Sequence, residues 1–168
     1  EKRCESFEII TVFFFFWRFF MDDIKSQLRK ITPTVHSMKE IGMNKKLAKF
    51  GDLITNLIYS LAKTLIIQQL DQRKVNRTIL SNALKNAGMK DYCKTRANAH
   101  DMANTAESFI GYVYCVEQWP LDRMVKILTP VLAEYNLLDY KQEIPGATAA
   151  FTLLLENIKD DLSQHFTI

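Results

Sequence analysis

The sequence contains few glycines, prolines and cysteines for its length. Five Gly and four Pro in 168 residues are too few for a β fold with many tight turns, and they favour long uninterrupted helices. The three cysteines, Cys4, Cys93 and Cys115, form no CxxC pair. The sequence therefore predicts neither a disulfide framework nor a zinc site, and it favours reduced thiols in a cytoplasmic protein.

The sequence motifs of several enzyme classes are also missing. There is no glycine-rich phosphate loop and no Ser/His/Asp arrangement. The dipeptide His100-Asp101 invites comparison with HD-type phosphohydrolases, whose metal site needs further His and Asp ligands. The remaining histidines, His36 and His165, have unsuitable neighbours for that role. The pattern therefore disfavours an HD-type site.

No hydrophobic run is long enough to span a bilayer. The longest, residues 9–17, lies in a densely aromatic stretch, FEIITVFFFFWRFF, that ends just before Met21. We interpret residues 1–20 as translated upstream sequence before a true start at Met21. A membrane-associating tail and a packed N-terminal helix or strand remain open. We expect one domain over residues 21–168, with no obligatory membrane partner.

The net charge of +3 hides an uneven distribution. Residues 21–100 hold fifteen basic and six acidic side chains, whereas residues 101–168 hold four basic and ten acidic ones. A basic half beside an acidic half suggests a polyanionic partner for the basic half. Salt bridges between the two segments, or a chance gradient, are the alternatives.

Apolar residues recur at three- and four-residue steps along most of the chain, which is typical of helices. The clearest stretch runs from Leu47 to Leu65 and is too long and regular for a strand. No segment alternates apolar and polar residues as a half-buried strand would. The pattern predicts an all-α protein with helices over residues 22–36 (broken at Pro33), 47–65, 76–88, 101–118, 121–135 (bent or divided at Pro130) and 147–166, the last preceded by Pro145-Gly146.

Glu107 occupies an unusual place on the helix predicted over residues 101–118. At 100° per residue it falls at the edge of the apolar sector, between Ala103 and Ile110. A carboxylate there must be paired, protonated or metal-bound, because burying it alone is too unfavourable. Asn104, one turn earlier, offers a neutral oxygen ligand. Asp101 lies near the helix start, where a capping role is as consistent as a functional one.

Asp52 lies on the polar face of the helix predicted over residues 47–65. Lys49 precedes it by three residues and Asn56 follows it by four, which alone is typical of a solvated helix face. The neighbouring Gly51 argues for more. A glycine inside a helix costs about 1 kcal/mol relative to alanine, so it usually marks the close approach of another chain segment.

These segments resemble the endonuclease domains of the ribonuclease III family. LAKFGDLITNLIYSLA is similar to the family's signature helix, Leu–Glu–aromatic–Leu–Gly–Asp followed by apolar residues. ANTAESFIGYVY is similar to its second acidic helix, Ala–Asp–x–x–Glu–Ala–Leu–Ile–Gly–Ala–x–Tyr. KVNRTILSNALKNAGMKDY lies between them as in the family. The resemblance covers about residues 40–118 and is greatest to the compact archaeal ribonuclease III-like proteins.

The resemblance implies an all-α ribonuclease III endonuclease-like domain with no separate double-stranded-RNA-binding domain. It implies hydrolysis of double-stranded or structured RNA by water activated by Mg²⁺, with Mn²⁺ as an alternative, leaving 5′-phosphates. Family members act as homodimers whose signature helices pack together. The apolar stripe from Phe50 to Leu65 would supply that contact, although a core within one chain fits the same stripe.

On this alignment the catalytic residues are Asp52 and Glu107, and the metal ligands are Asp52, Asn104 and Glu107. Ala48 and Lys45 stand where bacterial members have acidic residues, and Asn104 stands where the second signature has Asp. Two of the usual four carboxylates therefore remain. The alternative functions are a catalytically degenerate dimer that binds or scaffolds structured RNA, and an unrelated helical bundle. The residues expected to face RNA phosphates are Lys45, Lys49, Arg73, Lys74, Arg77, Lys94 and Arg96.

Overall fold

The computed structural model describes residues 24–166, and within them every regular element is helical. The chain divides into two compact units, Glu1–Pro33 and Thr34–Ile168. In the first unit the described residues form helix α1, over 24–31, within the predicted helix 22–36. The interpretation of residues 1–20 falls outside the described part of the chain. The all-α prediction is confirmed.

The second unit contains six further α-helices and one short 3₁₀ turn among its described residues. Asparagine or aspartate side chains begin four of the six: Asn44, Asn76, Asn98 and Asp139 each accept hydrogen bonds from backbone N–H groups of the first helical turn. The helices are α2 (Met38–Gly42), α3 (Lys45–Ile67), α4 (Arg77–Asn86), α5 (Ala99–Cys115), α6 (Leu121–Leu132) and α7 (Tyr140–His165), with the 3₁₀ turn at Lys90–Tyr92.

Helix α5 lies at the centre of this unit and packs against α2, α3, α4 and α7. Its apolar sector is fully buried at Ala106, Phe109, Ile110 and Val113. This is the sector that the sequence predicted for this helix, with Glu107 at its edge. The packing of this central helix therefore fixes where Glu107 meets its neighbours.

Pro130 and Pro145 both lie inside helices, as expected for Pro130 and contrary to expectation for Pro145. Pro130 lies in the last turn of α6 and does not divide it. Pro145-Gly146 lies inside α7, which begins at Tyr140, so the prediction that the pair precedes the helix was wrong. A Cβ on Gly146 would come within 2.7 Å of the Tyr135 ring, which explains the glycine. The short α2 and the 3₁₀ turn have no clear periodicity and were not predicted.

Helices α3 and α5 cross at two glycines, Gly51 and Gly111. A Cβ on Gly51 would overlap the backbone carbonyl of Glu107, and a Cβ on Gly111 would come within 2.7 Å of the Leu47 carbonyl oxygen. The two backbones therefore touch here without intervening side chains. This contact confirms that Gly51 marks a close approach, and it sets Asp52 beside the turn of α5 that carries Glu107.

Within the described residues, α3 is the one helix long and apolar enough to cross a membrane by length and composition. One side of α3 packs into the core, where its buried residues include Ile54, Ile58, Tyr59 and Ala62. The predicted apolar stripe is therefore split. One half forms the core of the chain, and the other half, at Leu53, Leu57, Leu61 and Leu65, is exposed.

Candidate active site

A cleft of about 890 Å³ opens where α3, α5 and the start of α4 meet. Both residues predicted to be catalytic, Asp52 and Glu107, line it, and so does Asn104. The structure thus brings together the three residues predicted to hold a metal ion. The other lining residues are Lys45, Ala48, Lys49, Lys74, Val75, Asn76, Arg77, His100 and Ala103.

Glu107 is partly buried, and its carboxylate accepts no hydrogen bond from any described residue. Burial, and to a smaller extent the negative charge of Asp52, raise the pKa of this carboxyl from 4.5 to about 7, against the opposing effect of the Lys74 ammonium. The influence of Asp52 shows that the two acidic groups lie near each other. A partly desolvated carboxylate without a donor is a site where a cation would bind favourably.

Asp52 is held by Asn56, one helical turn further along α3. The Asn56 Nδ2 donates to Asp52 Oδ1 at 2.9 Å and to the Asp52 backbone carbonyl at 2.7 Å. The Lys74 Nζ lies 3.9 Å from Asp52 Oδ2. Asp52 therefore points into the cleft. The Asn56 amide holds one of its carboxylate oxygens, and the Lys74 ammonium group faces the other.

The predicted polar face of α3 is exposed at Lys45 and Lys49, and Asp52 pairs with Asn56 one turn further on, as that pattern indicated. Further along the helix, the polar side chains bind another segment of the chain. Three side chains at four-residue spacing accept hydrogen bonds from backbone N–H groups of the segment 71–75, which runs antiparallel to the helix. Asn56 accepts from Val75 at 2.7 Å, Ser60 from Arg73 at 3.4 Å, and Thr64 from Asp71 at 3.2 Å. We call these three contacts the polar ladder.

A buried ionic cluster closes the far end of the polar ladder. Lys63 and Glu143 are 2% and 3% exposed, and they pair at 3.0 Å. Lys63 also pairs with Asp71 at 2.7 Å, Arg73 pairs with Glu143 at 2.7 Å, and the Tyr59 hydroxyl donates to Glu143 at 2.9 Å. Because removing one partner would leave a buried charge, this cluster ties segment 71–75 firmly to α3 and α7.

Four of the seven residues predicted to contact RNA line the cleft: Lys45, Lys49, Lys74 and Arg77. Two approach from the first turns of α3, and Arg77 begins α4. The cleft thus combines two acidic groups with four cations on its walls. A surface of this charge suits a polyanion that carries phosphates past a cation-binding centre.

The other three predicted RNA contacts lie outside the cleft lining. Arg73 is engaged by Glu143, and Lys94 pairs with Asp101 at 2.7 Å. Arg96 is exposed in the loop before α5, at a left-handed φ of 58°. For these residues RNA binding stays a prediction.

Asp101 has a structural role at the start of α5, one of the two roles that the sequence left open for it. Its carboxylate accepts from the Asn98 backbone at 3.0 Å, and the Asn98 side chain accepts from the Asp101 backbone at 3.0 Å, which forms a capping box. The Lys94 hydrogen bond lowers the pKa of Asp101.

The neighbouring His100 was not predicted as a site residue, yet it lines the cleft. Its Nε2 lies 3.4 Å from the Asn104 amide nitrogen.

The donor set suits one oxygen-coordinated divalent cation. Asp52 and Glu107 supply two negative charges, and the Asn104 amide supplies a neutral oxygen, which are ligands that Mg²⁺ accepts. Over residues 24–166 no group of three or more His, Cys, Asp or Glu side chains is arranged to hold a metal ion. This excludes an HD-type site from the described part of the chain.

The family model described as Ribonuclease III matches residues 45–164, from the first residue of α3 to the last turn of α7. The chain belongs to the ribonuclease III family. The family's endonuclease domain therefore covers every helix that forms the cleft, and the resemblance found in two short motifs extends over most of the chain. No curated protein sequence matches the chain closely enough to count as a relative.

Membership of the ribonuclease III family agrees with the all-α fold and supports an endoribonuclease-type domain that acts on double-stranded RNA. The two signature helices of the resemblance are α3 and α5, which cross at Gly51 and Gly111. In this ribonuclease III domain the crossing brings the retained acidic residue of each signature, Asp52 and Glu107, to one cleft.

Proposed function

We propose that the protein is a Mg²⁺-dependent endoribonuclease that cleaves double-stranded or structured RNA and leaves 5′-phosphates. The observation that carries this proposal is the placement of Glu107. Its partly buried carboxylate has no hydrogen-bond donor among the described residues and lies near Asp52 in a cleft walled by cations. A protein with only a structural use for Glu107 would pair it with one of those lysines.

The roles of the residues follow from their positions. Asp52, Glu107 and Asn104 would hold Mg²⁺, or Mn²⁺ in its place. Such an ion, when bound, activates water and offsets the charge that develops on phosphate oxygens. The water oxygen forms a bond to phosphorus and releases a proton to solvent, the bond from phosphorus to the 3′ oxygen breaks, and that oxygen takes up a proton from solvent. Lys45, Lys49 and Arg77 would hold neighbouring phosphates in the cleft.

We also propose that two copies pair through the exposed half of α3. Leu53, Leu57, Leu61 and Leu65 are 64%, 43%, 40% and 55% exposed, and they follow one another at four-residue steps. A continuous apolar row on one helix is self-complementary about a twofold axis and is unfavourable in water. Sedimentation of the purified chain tests this. A dimer of about twice the chain mass supports it, and a monomer at micromolar concentration contradicts it.

A cleavage assay tests the proposed activity. Purified protein is incubated with long duplex RNA in Mg²⁺, in Mn²⁺ or in chelator, at two salt concentrations. We expect fragments with 5′-phosphate ends only with metal, and weaker binding at the higher salt. Binding without cleavage in every metal condition would contradict the enzyme and support the degenerate RNA-binding alternative, which the small number of acidic ligands favours. Neither binding nor cleavage would contradict both.

A further inference from the structure

The segment that carries Lys74 is fixed in place. The backbone N–H groups of Arg73 and Val75, on either side of Lys74, both donate to α3 side chains in the polar ladder. The half-buried Asp71, paired with the buried Lys63 of the Lys63–Glu143 ion pair, anchors the start of the same segment. Hydrogen bonds and ion pairs therefore hold the backbone around Lys74 at the edge of the cleft, although the Lys74 ammonium group remains exposed to solvent.

The balance of charge around Asp52 favours one divalent ion over two. Two catalytic divalent ions lie about 3.5–4 Å apart and together carry four positive charges. Asp52 and Glu107 supply two negative charges, which match one such ion. The Lys74 Nζ already lies 3.9 Å from Asp52 Oδ2, on the side away from the oxygen that Asn56 holds. A second divalent ion at the Asp52 carboxylate would be repelled by the Lys74 ammonium group and would have too few anionic ligands.

We propose, resting on the function proposed above, that the site binds a single divalent cation and that Lys74 is a further catalytic residue supplying the second positive charge. The ammonium group contacts the scissile phosphate and offsets the charge on its oxygens while the bond from phosphorus to the 3′ oxygen breaks. It transfers no proton, and the 3′ oxygen is protonated by solvent. The polar ladder, ending at Asn56, positions both Lys74 and Asp52.

The test counts bound metal directly. Mn²⁺ is titrated into the full-length protein and followed by electron paramagnetic resonance, which separates free from bound ions and detects exchange coupling between paired ions. We expect one Mn²⁺ per chain with no coupling. In Lys74→Gln, loss of the nearby positive charge should tighten Mn²⁺ binding about 3- to 10-fold. Duplex RNA cleavage by this variant should fall about 100-fold, and Lys74→Arg should retain most of it.

Lys85→Gln is the matched control, because Lys85 is exposed near the end of α4 and does not line the cleft. It should change neither Mn²⁺ binding nor cleavage. Two coupled Mn²⁺ ions per wild-type chain would overturn the role of Lys74 while leaving the nuclease proposal standing. Unchanged Mn²⁺ affinity and cleavage in Lys74→Gln would also overturn it. No Mn²⁺ binding together with no cleavage by the wild type would overturn both proposals.

Discussion

Glu107→Gln is expected to lower the rate of duplex RNA cleavage by about 1,000-fold or more, measured as kcat/KM in saturating Mg²⁺. The variant keeps the shape of the side chain and removes the charge that pairs with the cation. Because Asp52 and Glu107 are the two carboxylates lining the cleft, one charge is too little to hold a divalent ion there. Asp52→Asn should give a loss of similar size.

The same variant should make the metal-free protein more stable, which separates loss of function from loss of folding. The pKa of Glu107 rises from 4.5 to about 7 in the folded chain, so the folded state holds its proton more tightly than the unfolded state does. As pH rises through this window, ionisation costs wild-type stability, and Gln avoids that cost. In chelator at pH 8 we expect Glu107→Gln to be about 1–2 kcal/mol more stable, after allowance for partial solvent exposure.

Thermal melts in chelator at pH 4.5 and pH 8 provide the measurement. Wild type and Glu107→Gln should melt together at the lower pH and differ by several degrees at the higher pH. Glu156→Gln, at an exposed position of α7, serves as the control and should follow the wild type at both. Glu107→Gln melting below the wild type at pH 8 would show that the carboxylate has a structural partner.

Gly51→Ala is expected to destabilise the domain by about 3 kcal/mol or more, because the added methyl group overlaps the Glu107 carbonyl. The α3 backbone fixes the position of the added Cβ and the atom it overlaps is itself backbone, so no side-chain rotation relieves the clash. Helix α3 must move away from α5, which also separates Asp52 from Glu107. Chemical denaturation measures the loss of stability, and cleavage should fall with it in the variant that still folds.

Lys46→Ala is the matched control for that experiment, since it places alanine at an exposed position of the same helix. It should leave stability within about 0.5 kcal/mol of the wild type. If Gly51→Ala also remained within about 1 kcal/mol, the two helices would not touch as the structure shows, and the account of how the site is assembled would fail.

Local patterns in the sequence were sufficient for much of this structure. Helical periodicity gave the all-α fold, and the position of Glu107 on its helix predicted a partly buried carboxylate. Gly51 predicted a close approach because a glycine inside a helix needs a reason. These features depend on residues close together in the chain. The spacing of such residues alone determines which side of a helix they occupy.

Features that depend on distant residues could not be predicted. Asn56 pairs with Val75 and Lys63 with Glu143, yet nothing in the local sequence links these partners. The sequence therefore gives no indication that polar side chains of α3 beyond Asp52 bind the segment 71–75. Proline usually breaks a helix, so the sequence predicts a boundary at Pro145, whereas α7 continues through it.

Anomalous scattering of Mn²⁺, in crystals of the protein grown with that ion, shows directly whether Asp52 and Glu107 share one cation. We expect a peak in the cleft within coordination distance of both carboxylates. A cleft in which the two carboxylates point apart, with no Mn²⁺ between them, would contradict this expectation.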